Sequence, residues 1–182
     1  IESGTAVLQL KAEDIDALFH RVNTVFEEDV RKKNLQYHAV LDVRHHYVVC
    51  DQTKLQEIML NIISNAIKYT PEGHSIYVEV HEAVSENPSK IRYIFSCEDT
   101  GIGMSEEYLP HVYEEFSREH TTTENKVQGT GLGLSIIKSM IELMGGSIQV
   151  ESRQHIGTKF TVDFSFDIAS KEEVYGNQNA LK

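Results

Sequence analysis

Apolar residues recur every three or four positions in three stretches of the chain, which is the spacing of an amphipathic helix. The first stretch runs from Glu13 to Lys33. The second follows Asp51, a residue that can cap a helix, and runs to about Tyr69. The third runs from Ile136 to Met144 and stops at two glycines. The apolar positions that predict these three long helices are Ile15, Leu18, Phe19, Val22, Val25, Phe26, Leu55, Ile58, Met59, Ile62, Ile63, Ala66, Ile136, Ile137, Met140, Ile141 and Met144.

Alternation of apolar and polar residues predicts β-strands before, between and after these helices. Hairpins dominate the predicted order, which argues against a parallel doubly wound sheet and requires the helices to gather on one face. The sequence therefore predicts an α/β (α+β) fold: a two-layer sandwich with a mixed, mostly antiparallel sheet of about five main strands and three long helices on one face. The predicted strands are Val7–Lys11, Gln36–Val43, Tyr47–Cys50, Ser75–Ala83, Ile91–Glu98, Ser147–Glu151 and Thr158–Phe166.

Four other segments complete the predicted organisation. Ile1 to Gly4 looks like the last turn of a helix that is closed by glycine. Ser105 to Glu115 is typical of a short helix that the Ser105 side chain caps. Glu119 to Gln128 is polar and has no apolar period, so we expect a mobile segment of the kind that forms a lid. Asp167 to Lys182 also loses its periodicity and is interpreted as a polar tail or linker.

Composition and charge narrow the classes of function. The 182 residues fit one domain, and a formal net charge of −11 with a pI near 5.2 argues against a nucleic-acid surface or contact with an anionic membrane. No apolar run is long enough to span a bilayer. Two cysteines without close spacing fit a reducing, cytoplasmic compartment and argue against zinc. A phosphate-bearing ligand would therefore be held by local donors and a metal ion.

Glycines at alternate positions between Gln128 and Ser135 directly precede the third predicted helix. Such a turn leaves amide groups pointing outward at the positive end of a helix dipole, which suits a phosphate. The spacing fits neither the Rossmann fingerprint nor the P-loop, because Leu134 stands where a glycine is needed and no Gly-Lys-Ser/Thr occurs. A purely structural turn before a helix would look the same, so this stretch alone does not decide the function.

Asn61, Asn65 and Lys68 fall on one stripe of the second predicted helix at one-turn spacing. Asparagine is disfavoured inside helices, so two on one stripe need a reason. One reason is hydrogen bonding to a nearby loop. The other is that neutral carbonyl oxygens ligate Mg²⁺ beside a triphosphate, with the lysine as counter-charge.

Three local patterns suggest other chemistry and are rejected. Asp99-Thr100-Gly101 also occurs in aspartic proteases, but the second carboxylate of the same kind is missing. His45 and His46 lack a third metal ligand at suitable spacing, so we interpret them as a solvated turn. His81-Glu82 lies on a predicted strand after the asparagine helix, which is the wrong context for a phosphoacceptor histidine.

Four segments taken together are highly specific: Asn61 to Asn65, Asp99 to Gly103, Glu114 to Arg118 and Gly129 to Leu134. In this order and spacing the chain resembles the ATP-binding and catalytic domain of bacterial sensor histidine kinases, within the wider group of gyrase- and chaperone-type ATPases. The resemblance implies a Bergerat-type ATP-binding fold. It also implies three parts: residues 1–6 as the end of a dimerisation-helix linker, 7–166 as the catalytic domain and 167–182 as a tail or linker.

The resemblance implies ATP and Mg²⁺ as ligands and assigns roles to residues. Asp99 would accept a hydrogen bond from the adenine amino group, Asn65 would bind Mg²⁺, and Arg118 would reach the γ-phosphate. Lys126 is a weaker candidate for the same task. The alternative for Arg118 is a surface ion pair with Glu114 or Glu115. Asn61 and Arg118 are also implied in catalysis. The other residues implied to bind the nucleotide are Asn61, Lys68, Tyr69, Gly101, Ile102, Gly103, Gly129, Thr130, Gly131, Leu132, Gly133, Leu134 and Thr158.

The resemblance further implies transfer of the ATP γ-phosphoryl group to a histidine on a dimerisation domain outside these residues, with a response regulator downstream. We expect this chain to be a monomer and its parent a homodimer. An ATPase of the gyrase and chaperone kind is an alternative, but such enzymes place a glutamate where this chain has Asn61, and Glu57 lies a further turn back. A nucleotide-binding regulatory module without transfer activity is the second alternative.

Overall fold

The computed structural model describes residues 7–115, 117 and 133–176. Their strands form one sheet, and the helices pack against it. The strands are β1 Lys11–Asp14, β2 Gln36–Asp42, β3 Tyr47–Cys50, β4 Ser75–Ala83, β5 Lys90–Asp99, β6 Ser147–Arg153 and β7 Gly157–Ile168. The helices are α1 Ile15–Thr24, α2 Glu27–Lys32, α3 Gln52–Tyr69, α4 Gly133–Leu143 and α5 Lys171–Tyr175, with one 3₁₀ turn at Leu109–His111.

The sheet has the order β1-β3-β7-β5-β4-β2, and β6 also pairs with β7. Only β2 and β4 run parallel among these pairs, so the predicted mixed, mostly antiparallel sheet is confirmed. The expectation of about five main strands is too low, because seven strands join this one sheet. The short strands β1 and β3 account for the difference, since β1 pairs with β3 and β3 pairs with the end of β7.

The helices cover one face of the sheet, as predicted. Successive residues of β4 and β5 alternate between buried and more exposed positions, which is the pattern of a sheet with one covered face. The covered face meets the apolar side of α3, and every apolar position that predicted this helix is buried. The core residues of α3 and the central strands are Leu55, Ile58, Met59, Ile62, Ile63, Ala66, Ile67, Ile76, Val78, Val80, Ile91, Tyr93, Phe95, Cys97, Phe160, Val162, Phe164 and Phe166.

The predicted start of the second helix, α3, is confirmed. Asp51 has extended backbone angles, and its side chain accepts the amide hydrogen of Lys54 at the start of α3. By contrast, the first predicted helix is divided into α1 and α2. Near this break the side chains of Asn23 and Thr24 donate to the carbonyls of Phe19 and His20, at 2.7 and 2.8 Å. Such side-chain hydrogen bonds compete with the helical backbone.

Two other predictions of local structure are wrong. The segment predicted as a helix from Ser105 to Glu115 consists of turns around a single 3₁₀ turn, because Pro110 cannot donate a backbone hydrogen bond. The first strand begins at Lys11 and not at Val7. Before it, the amide of Gln9 donates to the side chain of Asp51 at 2.9 Å and not to a neighbouring strand.

The end of the described chain is more ordered than a polar tail. β7 continues to Ile168, and α5 follows after Ser170, whose side chain accepts from the amide of Glu173 in a capping box. The Tyr175 hydroxyl donates to the Asp14 carboxylate, and the Tyr175 ring meets Tyr47 edge to face. The predicted division at residue 166 stays a prediction. Across the described ranges, no helix combines the length and apolar character needed to cross a membrane.

Candidate functional site

The polar stripe of α3 lies where the sequence placed it. Asn61 and Asn65 are half-buried one turn apart, and the Asn65 amide nitrogen donates to the Asn61 carbonyl oxygen at 3.4 Å. Lys68 is exposed in the last turn of the helix, and Tyr69, at the last helical position, is 36% exposed. The stripe therefore presents two amide side chains and one ammonium group on the same helix.

Asp99 ends β5 and is one of the few buried charged residues among those described, with 7% of its surface exposed. Its Oδ1 accepts the amide of Gly101 at 2.9 Å and the amide of Thr158 at 3.3 Å. Among the described residues both of these donors act on Oδ1, which leaves Oδ2 for a ligand. Burial raises the pKa of Asp99 to about 6, and the two backbone hydrogen bonds offset the desolvation only in part.

The loop after Asp99 is fixed to the end of α3. The amide of Ile102 donates to the carbonyl of Tyr69 at 3.0 Å. A Cβ atom on Gly101 would lie 2.3 Å from the same carbonyl oxygen, so only glycine fits at this position. The nucleotide-binding stripe predicted on α3 and the loop predicted to wrap adenine therefore belong to one structural unit.

The β6–β7 hairpin closes the other side of this loop. The amide of His155 donates to the carbonyl of Ile102 at 2.7 Å. Gly103 has a φ of +64°, and a Cβ there would lie 2.0 Å from the carbonyl oxygen of Arg153. The backbone of Gly157 approaches that of Asp99 as closely, because a Cβ on Gly157 would lie 1.9 Å from the backbone carbonyl oxygen of Asp99. Glycines thus allow two loops that are distant in sequence to pack backbone against backbone.

Ser152 also links the loop after Asp99 to the β6–β7 hairpin. The sequence does not predict this role. Its hydroxyl oxygen accepts the amide of Met104 at 2.8 Å and lies 2.8 Å from the Thr158 hydroxyl. It also donates to the carbonyl of Gly157 at 3.0 Å. Thr158, which the family resemblance did implicate, pairs directly with Asp99 across β5 and β7. The sequence around a serine in an alternating strand does not reveal such a role, because the role depends on the loop that the strand contacts in the fold.

The start of α4 meets the asparagine stripe. A Cβ on Gly133 would lie 2.9 Å from the amide nitrogen of Asn61, so the first residue of α4 and the middle of α3 are in close contact. Leu134 is half-buried and packs against the core. The structure therefore places together the stripe of α3, the loop after Asp99, the β6–β7 hairpin and the N-terminal end of α4.

Several predicted site residues lie outside the described residues. These are Arg118, Lys126, Gly129, Thr130, Gly131 and Leu132, together with the polar segment from Glu119 to Gln128. Their roles stay predictions from the sequence.

The histidine turn between β2 and β3 has a structural partner. Glu82 accepts the amides of Arg44 and His45 at 2.9 and 2.5 Å, and its carboxylate also meets the His45 ring. His46 pairs with Asp16 at 2.5 Å. Throughout the described part of the chain, no group of three histidine, cysteine, aspartate or glutamate side chains is placed to hold a metal ion. The histidines of this turn are thus engaged by two carboxylates, those of Glu82 and Asp16.

Comparison with known proteins gives the context of this site. The model of one family, described as histidine kinase-, DNA gyrase B-, and HSP90-like ATPases, matches residues 50–168. The circadian input-output histidine kinase CikA of Synechococcus elongatus is 32% identical over 164 residues, a match that covers 89% of this chain and 21% of CikA. The chain spans about a fifth of the length of such curated relatives.

Solved structures of histidine kinases share the fold. The nucleotide-free catalytic domain of histidine kinase ThkA superposes with a TM-score of 0.68 at 28% identity, covering 86% of this chain and 95% of that domain. ThkA has also been solved in complex with the response regulator protein TrrA, with a TM-score of 0.66 at 27% identity, covering 90% of this chain and 43% of ThkA. Full-length ShkA in complex with AMPPNP gives a TM-score of 0.73 at 25% identity, covering 91% of this chain and 33% of ShkA.

Proposed function

Because the chain belongs to the family of histidine kinase-, DNA gyrase B- and HSP90-like ATPases, we propose that it binds Mg-ATP and donates the γ-phosphoryl group to a histidine nitrogen. The acceptor histidine would belong to the dimerisation domain of the parent protein, which would act as a homodimer. A response regulator would take the phosphoryl group next. Full-length ShkA has been solved with AMPPNP and ThkA with the response regulator TrrA, which supports this assignment of ligand and partner.

The observation that carries the proposal is the position of Asp99. A buried carboxylate with one oxygen held by backbone amides and the other left for a ligand suits the exocyclic amino group of adenine. Accepting that hydrogen bond requires the ionised form, which the desolvated site disfavours until a donor arrives. Gly101 and Ile102 would line the base, because this loop directly follows Asp99 and is fixed to α3.

The phosphates would extend from this base site along α3 toward the start of α4. Lys68 and Asn61 would hold phosphate oxygens, Tyr69 would line the nucleotide, and Gly133 and Leu134 would contribute the positive end of the α4 dipole. Phosphoryl transfer needs mainly positioning and stabilisation of charge. From the sequence, Arg118 and the turn from Gly129 to Leu132 would add to this, with Lys126 as a weaker contributor.

The side chains present fit a magnesium ion. Asn65 offers a neutral amide oxygen beside Asn61 and would hold the ion, because Mg²⁺ takes few protein ligands when phosphates and water supply the others. When bound, the ion neutralises charge on the phosphates. Binding of Mg²⁺ at this site would therefore not require a cluster of acidic side chains among the described residues.

Hydrolysis by the gyrase and chaperone route is less well supported. The position one turn before Asn65 is Asn61, whose amide cannot accept a proton from water. Glu57 lies a further turn back and is exposed. The site therefore lacks a base for water where related ATPases carry one, which favours transfer to a histidine.

Calorimetric titration with ATP and ADP, with and without Mg²⁺, tests the nucleotide site. We expect saturable binding by the wild-type chain, loss of adenine-selective binding in Asp99→Asn, and loss of the Mg²⁺ dependence in Asn65→Ala. Adding the histidine-bearing domain of the parent protein should then allow transfer of phosphate, which the chain alone should not show. Absence of ATP binding by the folded wild-type chain would refute the kinase assignment.

A further inference from the structure

The last turn of α3 carries Lys68 and Tyr69, and its carbonyl groups need hydrogen-bond donors from outside the helix. The final carbonyls of any helix lack a partner within it. In α3 the carbonyl of Ile67 cannot have its usual helical donor, because the residue four positions later is Pro71, which has no amide hydrogen. The chain turns away after Thr70, which has extended backbone angles.

Lys33 supplies two of the missing donors. Its ammonium nitrogen lies 2.6 Å from the carbonyl oxygen of Ile67 and 3.2 Å from that of Lys68. The carbonyl of Tyr69 instead accepts the amide of Ile102. A positive charge at the C-terminal end of a helix also interacts favourably with the helix dipole. One lysine from another part of the chain therefore holds the carbonyls that directly precede Tyr69.

The backbone around Lys33 is itself well fixed. Asn34 adopts a left-handed conformation with a φ of +51°, and the amide of Leu35 donates to the carbonyl of Val30 at 3.0 Å. Leu35 is buried in the core. Lys33 lies in a cleft of about 440 Å³ between α2 and α3, and partial burial lowers its pKa. The position of the ammonium group is thus set by the end of α2 and not by a mobile loop.

We propose that Lys33 is a positioning residue for nucleotide binding: its ammonium group fixes the last turn of α3 and so holds Lys68 at the phosphates of ATP. This inference rests on the proposed function. Lys33 itself does not touch the nucleotide in this assignment. It acts through the backbone of the helix whose side chains do.

The chain offers a matched pair of variants. Lys33→Met keeps the aliphatic stem and removes the donors, and Lys33→Arg restores donors that can reach two carbonyls. Lys32→Met is the control, because Lys32 is exposed and pairs only with Glu28, one helical turn away, at 2.9 Å among the described residues. All variants are compared with the wild-type chain in the same buffer.

Titration with ATP and with adenosine separates positioning from simple destabilisation. We expect Lys33→Met to bind ATP about tenfold more weakly, as for the loss of one or two charge-assisted hydrogen bonds, while adenosine affinity changes little. Lys33→Arg should recover most of the ATP affinity, and Lys32→Met should match the wild type. Hydrogen exchange should accelerate over residues 64–70 in Lys33→Met, with the core strands unchanged.

Two results would overturn the proposal. One is wild-type ATP affinity and wild-type exchange at residues 64–70 in Lys33→Met. The other is an equal loss of affinity for ATP and adenosine, which would indicate a smaller folded fraction and no positioning role. If the wild-type chain binds neither ligand, the proposed function fails and the nucleotide role of Lys33 fails with it. The exchange measurement would still report whether Lys33 holds the last turn.

Discussion

Asp99 is the residue at which the proposed function and the stability of the domain are opposed. Its carboxylate is buried, and its pKa is raised from 3.8 to about 6 by desolvation. At neutral pH the free domain therefore holds a buried negative charge that the unfolded chain would expose to water. A raised pKa favours folding of the protonated form, so its contribution to stability is complete below pH 3.8 and is lost as the pH rises through about 6.

We expect Asp99→Asn to stabilise the free domain at pH 7, by up to about 3 kcal/mol for a shift of two pKa units. Asparagine has the same shape, and its carbonyl oxygen can still accept the amides of Gly101 and Thr158. Urea unfolding at several pH values measures the effect. The gain should shrink as the pH falls below 6 and vanish near pH 4. A variant less stable than the wild type at pH 7 would contradict this account.

At the scale of elements, the site depends on backbone-to-backbone contacts between distant segments. Few side chains in the sequence indicate these contacts. Asp99, the asparagine stripe and the glycine positions could be predicted from the sequence, since each has a local signal. Ser152 and Lys33 could not, because each acts on a carbonyl or amide from a segment far away in the chain. The same reason explains why the short strands could be predicted but their membership of the one sheet could not, since that depends on neighbours brought together by folding.

Two glycines with similar backbone angles test the importance of the loop-to-hairpin contact. Gly103 and Gly145 have φ values of +64° and +75°, but a Cβ on Gly103 would meet the Arg153 carbonyl, whereas nothing lies within 4 Å of a Cβ on Gly145. We expect Gly145→Ala to cost about 1–2 kcal/mol, the conformational penalty alone. Gly103→Ala should cost several kcal/mol, since the hairpin must move as well.

Chemical denaturation measures the loss of unfolding free energy in each of the two variants. Titration with ATP shows whether the loop-to-hairpin contact at Gly103 also affects ATP binding. Gly103→Ala should weaken ATP binding in the remaining folded protein, because the loop after Asp99 shifts. Gly145→Ala should bind ATP as the wild type does. Equal free energies of unfolding for the two variants would show that the hairpin adapts without strain.

At the scale of the whole molecule, the two ends of the described chain support each other. α5 packs beside β1 through Tyr175, which contacts both Asp14 and Tyr47. Asp14 also accepts the amide of Ala17 and so caps α1. The last helix therefore stabilises the start of the first one, at a distance from the nucleotide site.

We expect Tyr175→Ala to lower the melting temperature by a few degrees and to leave the affinity for ATP unchanged. Tyr175→Phe should have a smaller effect, because it keeps the ring against Tyr47 and loses only the hydroxyl. Differential scanning calorimetry and titration with ATP measure the two quantities. A loss of ATP affinity in Tyr175→Ala would show that the contact reaches the nucleotide site.

The neighbouring positions of β1 and α5 also have a mechanical consequence. Force applied between residue 11 and residue 176 would first load the Tyr175–Asp14 hydrogen bond and the four-residue pairing of β1 with β3. The ten-residue pairing of β5 with β7, which carries Asp99 and Thr158, would remain until later. The described domain should therefore yield under tension at β1 and α5 first, while the proposed nucleotide site stays intact.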